Sequence, residues 1–137
     1  MNLKIDAVEV TGDRLAGRAG LPLFVSYLHN IELFPLLERY FESIRKSKKG
    51  VAVFEILKQV LCFMVDGTSR HVCYSDPLIK DTGCAGTIET DTRDMVSSHQ
   101  VKRSFKGFAW TRVFLFRRLL QTLFIWRLTL TQPELIE

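Results

Sequence analysis

The segment that most constrains the fold is residues 51–65, which is apolar on nearly every side. Its large side chains leave only a narrow polar stripe, formed by Glu55, Lys58 and Gln59. A helix with apolar side chains around most of its circumference is stable only when other elements surround it. Residues 51–65 therefore predict a central helix, and Gly67 predicts a left-handed cap at its C-terminal end.

Apolar spacing and turn residues predict further helices on both sides of this segment. Apolar residues repeat at helical spacing over residues 24–31 and again over residues 33–44, where Pro35 suits a first helical turn. The sequence Ser-Asp-Pro at the start of residues 75–83 predicts a short capped helix that ends near Gly83. Residues 87–94 are mostly Thr and carboxylates, which predicts a solvated loop.

Ser97 and Gln100 have the spacing of a capping box, which predicts a helix start with Val101 and Phe105 facing inward. A long helix follows over residues 108–130 and is ended by Gln132-Pro133. At the other end of the chain, apolar residues alternate with charged ones over residues 1–10, which suits an edge strand or extended arm. The chain length is sufficient for a hydrophobic core without disulfides. The expected fold is mainly α, with a possible short N-terminal edge strand and a long C-terminal helix. The expected organisation is an arm or strand and loop (1–20), a helical core (21–94) and a basic helical segment (95–132).

Charge divides the chain unevenly. Residues 1–94 hold 12 basic and 13 acidic side chains, whereas residues 95–137 hold 7 and 2. No carboxylate lies between Asp94 and Glu134. This asymmetry predicts a polyanionic partner, first nucleic acid and second an anionic membrane surface. The cations in this region are Lys102, Arg103, Lys106, Arg112, Arg117, Arg118 and Arg127.

Targeting and redox features predict a cytoplasmic protein. The N-terminus lacks the continuous apolar core and cleavage site of a secretory signal. The three cysteines, Cys62, Cys73 and Cys84, form no C-x-x-C pair and are expected to be reduced thiols. Arginines near the centre of residues 108–130 make a membrane-spanning helix too costly, so no membrane partner is expected.

Catalytic and metal-binding patterns are weak. The sequence has no H-E-x-x-H, no phosphate-binding Gly-rich loop followed by Lys-Ser/Thr and no G-x-S-x-G. His71 with Cys73, or His99 with Cys62 or Cys84, could be metal ligands, but without the spacing of zinc sites we expect buried thiols and surface histidines. A metal-dependent nuclease needs converging carboxylates, whereas these aspartates suit caps and turns: Asp66, Asp76, Asp81, Asp91 and Asp94.

The basic helix that starts after Ser97 is the main indication of function. Its N-terminal half has the layout of a helix that points its amides toward phosphate and its Gln and Arg side chains toward base edges. The competing interpretation is a solubilising face. The expected DNA-binding residues are Ser98, His99, Gln100, Lys102, Arg103, Lys106, Arg112, Arg117 and Arg118.

Several blocks of the chain, taken together, resemble the N-terminal part of DDE-type insertion-sequence transposases, in the group related to the IS1380 and IS4 families. The similarity covers roughly residues 19–137 and rests on the order and spacing of these blocks. They are Gly20-Leu21-Pro22-Leu23 leading into a helix, residues 51–65 ending at Asp66-Gly67, Asp76-Pro77-Leu78-Ile79-Lys80 followed by Gly83, and Ser97-Ser98-His99-Gln100-Val101-Lys102-Arg103-Ser104-Phe105.

The resemblance implies a region that binds the terminal inverted repeats of double-stranded DNA and assembles the synaptic complex. It also implies that the catalytic Asp, Asp and Glu, which bind two divalent metal ions, belong to an RNase H-like domain. No residue of this chain matches them, so the chain is expected to be a truncated transposase that needs no cofactor and does not cut DNA.

The alternative function is a small helical interaction module whose basic residues form a solvated rim.

In the transposase interpretation, an exposed apolar side of the long helix is expected to have packed on the missing RNase H-like domain. Without that domain, the exposed side is expected to cause self-association. The residues expected on that side are Phe114, Leu115, Leu119, Phe124 and Trp126.

Overall fold

A computed structural model describes residues 18–44 and 49–132, and every regular element within these ranges is helical. The predicted mainly α fold with a long C-terminal helix is confirmed. The predicted edge strand in residues 1–10 lies outside the described residues. The α-helices are α1 (Leu21–Asn30), α2 (Leu33–Phe41), α3 (Val53–Asp66), α4 (Thr82–Thr87), α5 (Ser98–Lys106) and α6 (Val113–Thr131). Short 3-10 segments cover Glu42–Ile44, Val72–Lys80, Thr92–Asp94 and Trp110–Arg112.

The predicted central helix is α3, which packs against α1, α2, α5 and the Val72–Lys80 segment. Gly67 ends it in the left-handed conformation, with φ at +72°, as its position predicts. Leu57 of α3 shares a core cluster with Leu37 and Phe41 of α2 and with Leu119 of α6. The basic segment 95–132 therefore packs on the same core as residues 21–94.

The polar stripe of α3 lies inside the molecule. Lys58 and Gln59 are only 5% and 8% exposed. The Lys58 ammonium lies 2.9 Å from Glu55 Oε1 and donates to the Glu89 carbonyl at 3.1 Å. Gln59 donates to the Asp94 carbonyl at 2.8 Å and accepts from the Val96 amide at 2.9 Å. Buried polar groups need such partners, so the stripe fixes the path of residues 89–96.

Residues 87–94 are only partly the solvated loop that their composition predicts, since Glu89 and residues 91–94 are exposed. Ile88 and Thr90 are buried, and the Thr90 hydroxyl donates to Glu55 at 2.5 Å. The burial of Thr90 could not be predicted because its partner, Glu55, lies on α3, 35 residues earlier in the chain. Thr92–Asp94 then forms a 3-10 turn.

The predicted short helix over residues 75–83 is also corrected. Pro77 lies inside the 3-10 segment Val72–Lys80, and α4 begins only at Thr82. Asp81 caps α4 by accepting from the Cys84 amide at 2.9 Å. The Asp76 carboxylate does not cap its own segment because Ser98 of α5 occupies it.

The long helix α6 begins at Val113, after the 3-10 turn Trp110–Arg112, rather than at residue 108. It packs on α2, and the Tyr40 and Thr122 hydroxyls lie 3.3 Å apart. Leu119 is buried and Leu115 is half-buried in this contact, so neither belongs to the exposed side on which it was expected. Phe114, Phe124 and Trp126 are exposed, as predicted. Within the described residues, no helix has the length and apolarity needed to cross a bilayer.

Replacing Gln59 by Leu removes both hydrogen bonds that hold residues 94–96 against α3. Because the Val96 amide is left buried without its partner, the free energy of unfolding should fall by about 1–3 kcal/mol. Urea denaturation followed by circular dichroism measures this. Gln121→Leu, at an exposed position of α6, is the matched control and should stay within about 0.5 kcal/mol. Equal stability of the two variants would contradict the structural role of Gln59.

Candidate nucleic-acid interface

The start of α5 is built as the sequence predicts. The Ser97 hydroxyl accepts from the Gln100 amide at 3.3 Å, and Gln100 Oε1 accepts from the Ser97 amide at 2.7 Å. Both halves of the capping box are therefore present. Val101 is buried against Ile56 and Val96, which confirms that it faces inward.

A second cap reaches α5 from a distant part of the chain. The Asp76 carboxylate accepts from the Ser98 amide and from the Ser98 hydroxyl, both at 2.7 Å. These hydrogen bonds, with a smaller effect of the His99 and Lys102 charges, hold the pKa of the Asp76 carboxyl below its ordinary value. Asp76 thus joins α5 to the Val72–Lys80 segment.

Three consecutive amides at the start of α5 each donate to a side chain. Val96 donates to Gln59, Ser97 to Gln100, and Ser98 to Asp76. The acceptors come from three different elements. Such caps satisfy the donors that the first turn of a helix leaves unpaired. Three side-chain acceptors therefore fix the backbone that leads into α5.

The caps occupy part of the helix start whose amides were expected to point toward phosphate. The Ser98 and Gln100 amides of the first turn donate to side chains, and the Asp76 carboxylate already supplies the negative charge that a helix N-terminus attracts. Ser98 is only 2% exposed, so its side chain does not reach the surface. Gln100 is exposed, but its carbonyl oxygen is held in the capping box.

The outward cations of α5 lie around one open depression. We call His99, Lys102, Arg103 and Lys106 the α5 basic face. All four side chains are exposed, and exposure was predicted for Lys102, Arg103 and Lys106. Together with Phe105 they line the depression, and no carboxylate is among these lining residues. The structure therefore brings together four of the nine expected DNA-binding residues.

Phe105 does not face the core as predicted. It is 41% exposed and its ring packs only partly, against Phe108 at 5.9 Å between centroids. The helical spacing that buries Val101 continues to Phe105, but α5 ends one residue later, at Lys106. The last turn of α5 thus leaves an aromatic ring at the edge of the basic face.

The remaining expected cations are on or next to α6. Arg112 is half-buried and donates to the Ser43 hydroxyl at 2.8 Å, so it joins the start of α6 to the end of α2. Arg117 and Arg118 are exposed on α6. Neither of these arginines lines the depression of the α5 basic face.

The aspartates serve as caps and ion pairs. Asp81 and Asp91 cap the elements that follow them, as their positions predict. The hydrogen bonds from Arg93 lower the pKa of Asp91 to about 2. Burial raises the pKa of Asp66, but hydrogen bonds from Thr68 and Arg18 more than offset this, so that pKa is lowered. Within residues 18–44 and 49–132, no three His, Cys, Asp or Glu side chains are grouped so that they could hold a metal ion.

Two of the three cysteines are the buried thiols that were expected. Cys62 and Cys84 are buried free thiols, and Cys73 is an exposed one. Burial raises the pKa of the Cys62 thiol to about 11. A raised pKa disfavours the thiolate that metal binding requires.

Sequence reasoning missed two residues of this region. Asp76 was assigned to its own turn because the Ser-Asp-Pro pattern is local, whereas its partner Ser98 is 22 residues away. Phe105 was assigned to the core because helical spacing cannot show where a neighbouring element ends. The three cations near Phe105 in sequence, Lys102, Arg103 and Lys106, were the available signal for an exposed ring.

Comparisons of this chain with protein-family models, with curated proteins and with solved structures found no match. The resemblance to transposases therefore rests on the sequence blocks alone.

Replacing Asp76 by Ala should loosen the start of α5, because the Ser98 amide and hydroxyl lose their acceptor. We expect faster hydrogen exchange at the Ser98 amide, measured by NMR. Asp91→Ala is the matched control, since Asp91 caps only the Thr92–Asp94 turn. Its Ser98 exchange should equal that of the unmodified chain. Unchanged exchange in Asp76→Ala would contradict the second cap.

Asp76 should also make the stability of the chain depend on pH. The folded pKa of Asp76 is below its ordinary value, so its carboxylate stabilises the fold above about pH 4, the unfolded pKa. This contribution is lost as the pH falls through the lower folded pKa. The unmodified chain should therefore lose more stability on acidification than Asp76→Ala does.

Proposed function

We propose that this chain is the DNA-binding and assembly region of a DDE-type transposase, with double-stranded DNA as its partner. The α5 basic face carries this proposal: its cations surround one depression on a helix that is held by Gln59, Gln100 and Asp76. Cations on a rigid element can contact phosphates without a large cost in ordering them. The terminal inverted repeats enter only through the resemblance.

Electrostatics favours contact through the outward half of α5 rather than through its N-terminus. Lys102, Arg103 and Lys106 carry charges at neutral pH and lie on adjacent turns. Each phosphate that a cation neutralises releases condensed counterions, which makes the binding salt-dependent. Arg117 and Arg118 of α6 offer further phosphate contacts. Binding, and no cleavage step, is the role proposed for this chain.

The proposal predicts that affinity for duplex DNA falls with salt. Each phosphate contact contributes about 0.9 to the slope of log K against log salt, so removing Lys102, Arg103 and Lys106 together should reduce the slope by about 2.7. Fluorescence anisotropy with a labelled 30-base-pair duplex over a range of salt concentrations measures it. The unmodified chain, including residues outside the described ranges, is the reference.

Arg39→Ala with Arg70→Ala is the control, because both residues are exposed cations outside α5 and outside the Val72–Lys80 segment. This pair changes the net charge without touching the α5 basic face, and it should leave the slope within about one contact of the reference. Salt-independent binding, or an equal loss of slope in both variants, would contradict a specific role for the α5 basic face.

A second candidate function is self-association through α6, and the surface of that helix favours it. Leu119, Leu123, Trp126 and Leu130 recur at helical spacing on one face. Leu119 is buried against α2 and Leu123 is half-buried, whereas Trp126 and Leu130 are 40% and 64% exposed. The packing face thus continues beyond the helices that cover it. Exposed apolar surface of this kind favours contact with another protein surface.

Trp126→Ala should therefore reduce self-association, measured by sedimentation velocity over a concentration series. Arg117→Ala with Arg118→Ala is the comparison variant, and the degree of association should stay the same because these side chains form a solvated rim. A monomer at all concentrations, or equal effects of the two changes, would exclude the apolar face of α6 as the contact.

A further inference from the structure

Phe105 contributes a phenyl ring to the depression that the α5 basic face surrounds. Lys102 lies one helical turn before it and Lys106 follows it directly, so cations flank the ring on the outward side. The ring contacts Phe108, which in turn lies 5.7 Å from Phe116 between centroids. Phe105 is thus the exposed end of an aromatic row that leads into the core.

This position suits an apolar contact with a base. All residues that line the depression belong to α5, so it is an open surface on which a flat nucleobase can lie beside the ring. Cations that contact phosphates hold the DNA backbone at the rim of the depression, and the ring then faces the bases. Aromatic side chains in basic grooves stack on bases that have left the helical stack, and apolar side chains can separate base steps.

We infer that Phe105 is the base-contacting residue of this interface and that it stacks on a base in a locally opened segment of duplex DNA. This inference rests on the proposed function. The contact is apolar, so it contributes the same factor at every salt concentration, whereas the neighbouring lysines set the slope.

The experiment compares two labelled 30-base-pair probes of the same sequence, one fully paired and one with a central bubble of three mismatches. Binding of the complete chain and of Phe105→Ala is measured by anisotropy at several salt concentrations. We expect the complete chain to prefer the bubble, because opening that segment no longer requires unstacking. Phe105→Ala should lose this preference and bind the bubble roughly tenfold more weakly, at an unchanged slope.

Two further variants separate stacking from packing. Phe105→Trp keeps an aromatic surface and should retain the preference, whereas Phe105→Leu keeps the apolar contact with Phe108 and should lose it. If Phe105→Ala does not fold, the Leu variant supplies the measurement. Phe114→Ala is the matched control, because Phe114 is an exposed phenyl ring on α6. It should behave as the complete chain does.

The outcomes distinguish the inference from the function on which it rests. If the complete chain binds with salt dependence and Phe105→Ala matches it on both probes, the ring is only packed on Phe108 and the inference is wrong. A lower slope in Phe105→Ala would likewise overturn it, since that shows a disturbed basic face. If the complete chain binds neither probe with salt dependence, the proposed function itself fails.

Discussion

The buried polar stripe of α3 is the interaction on which the rest of the structure depends. Lys58 tolerates burial because Glu55, the Glu89 carbonyl and, at 5.8 Å, the face of the Phe34 ring surround its ammonium. A buried charge without such partners would cost several kcal/mol. The stripe therefore specifies one path for residues 89–96, and that path delivers the chain to α5. Stability of the core and placement of the basic helix thus share the same side chains.

As a consequence, the N-terminal end of α5 is held by side chains from three elements. Gln59, Gln100 and Asp76 accept from three consecutive amides, and Val101 packs in the core just beyond them. Near the other end of the helix, the Phe105 ring makes a partial contact with Phe108. A helix held at its N-terminus presents its later turns in a fixed direction. The outward side chains of those turns are the cations of the α5 basic face and the Phe105 ring.

The features that could be predicted from the sequence are those whose physical cause is local. The capping box depends on residues three positions apart, and the left-handed Gly67 cap depends on one residue. Asp76 could not be assigned, because two competing acceptor roles look identical until the tertiary fold brings Ser98 to it. The packing face of α6 could not be chosen either, since apolar residues surround that helix and no periodicity distinguishes Leu119 from Leu120. The exposure of the cationic side chains of α5 could be predicted from the sequence, whereas the exposure of the Phe105 ring between them could not.

The two proposed surfaces have a combined effect that neither has alone. Self-association through Trp126 and Leu130 would place two α5 basic faces in one assembly. After one face contacts DNA, binding of the second becomes intramolecular, and its effective concentration is set by the geometry of the assembly rather than by the amount of protein. The salt dependence of such an assembly would reflect the cations of both copies. A modest number of cations on each chain is therefore sufficient for tight binding, provided that the apolar face of α6 holds the copies together.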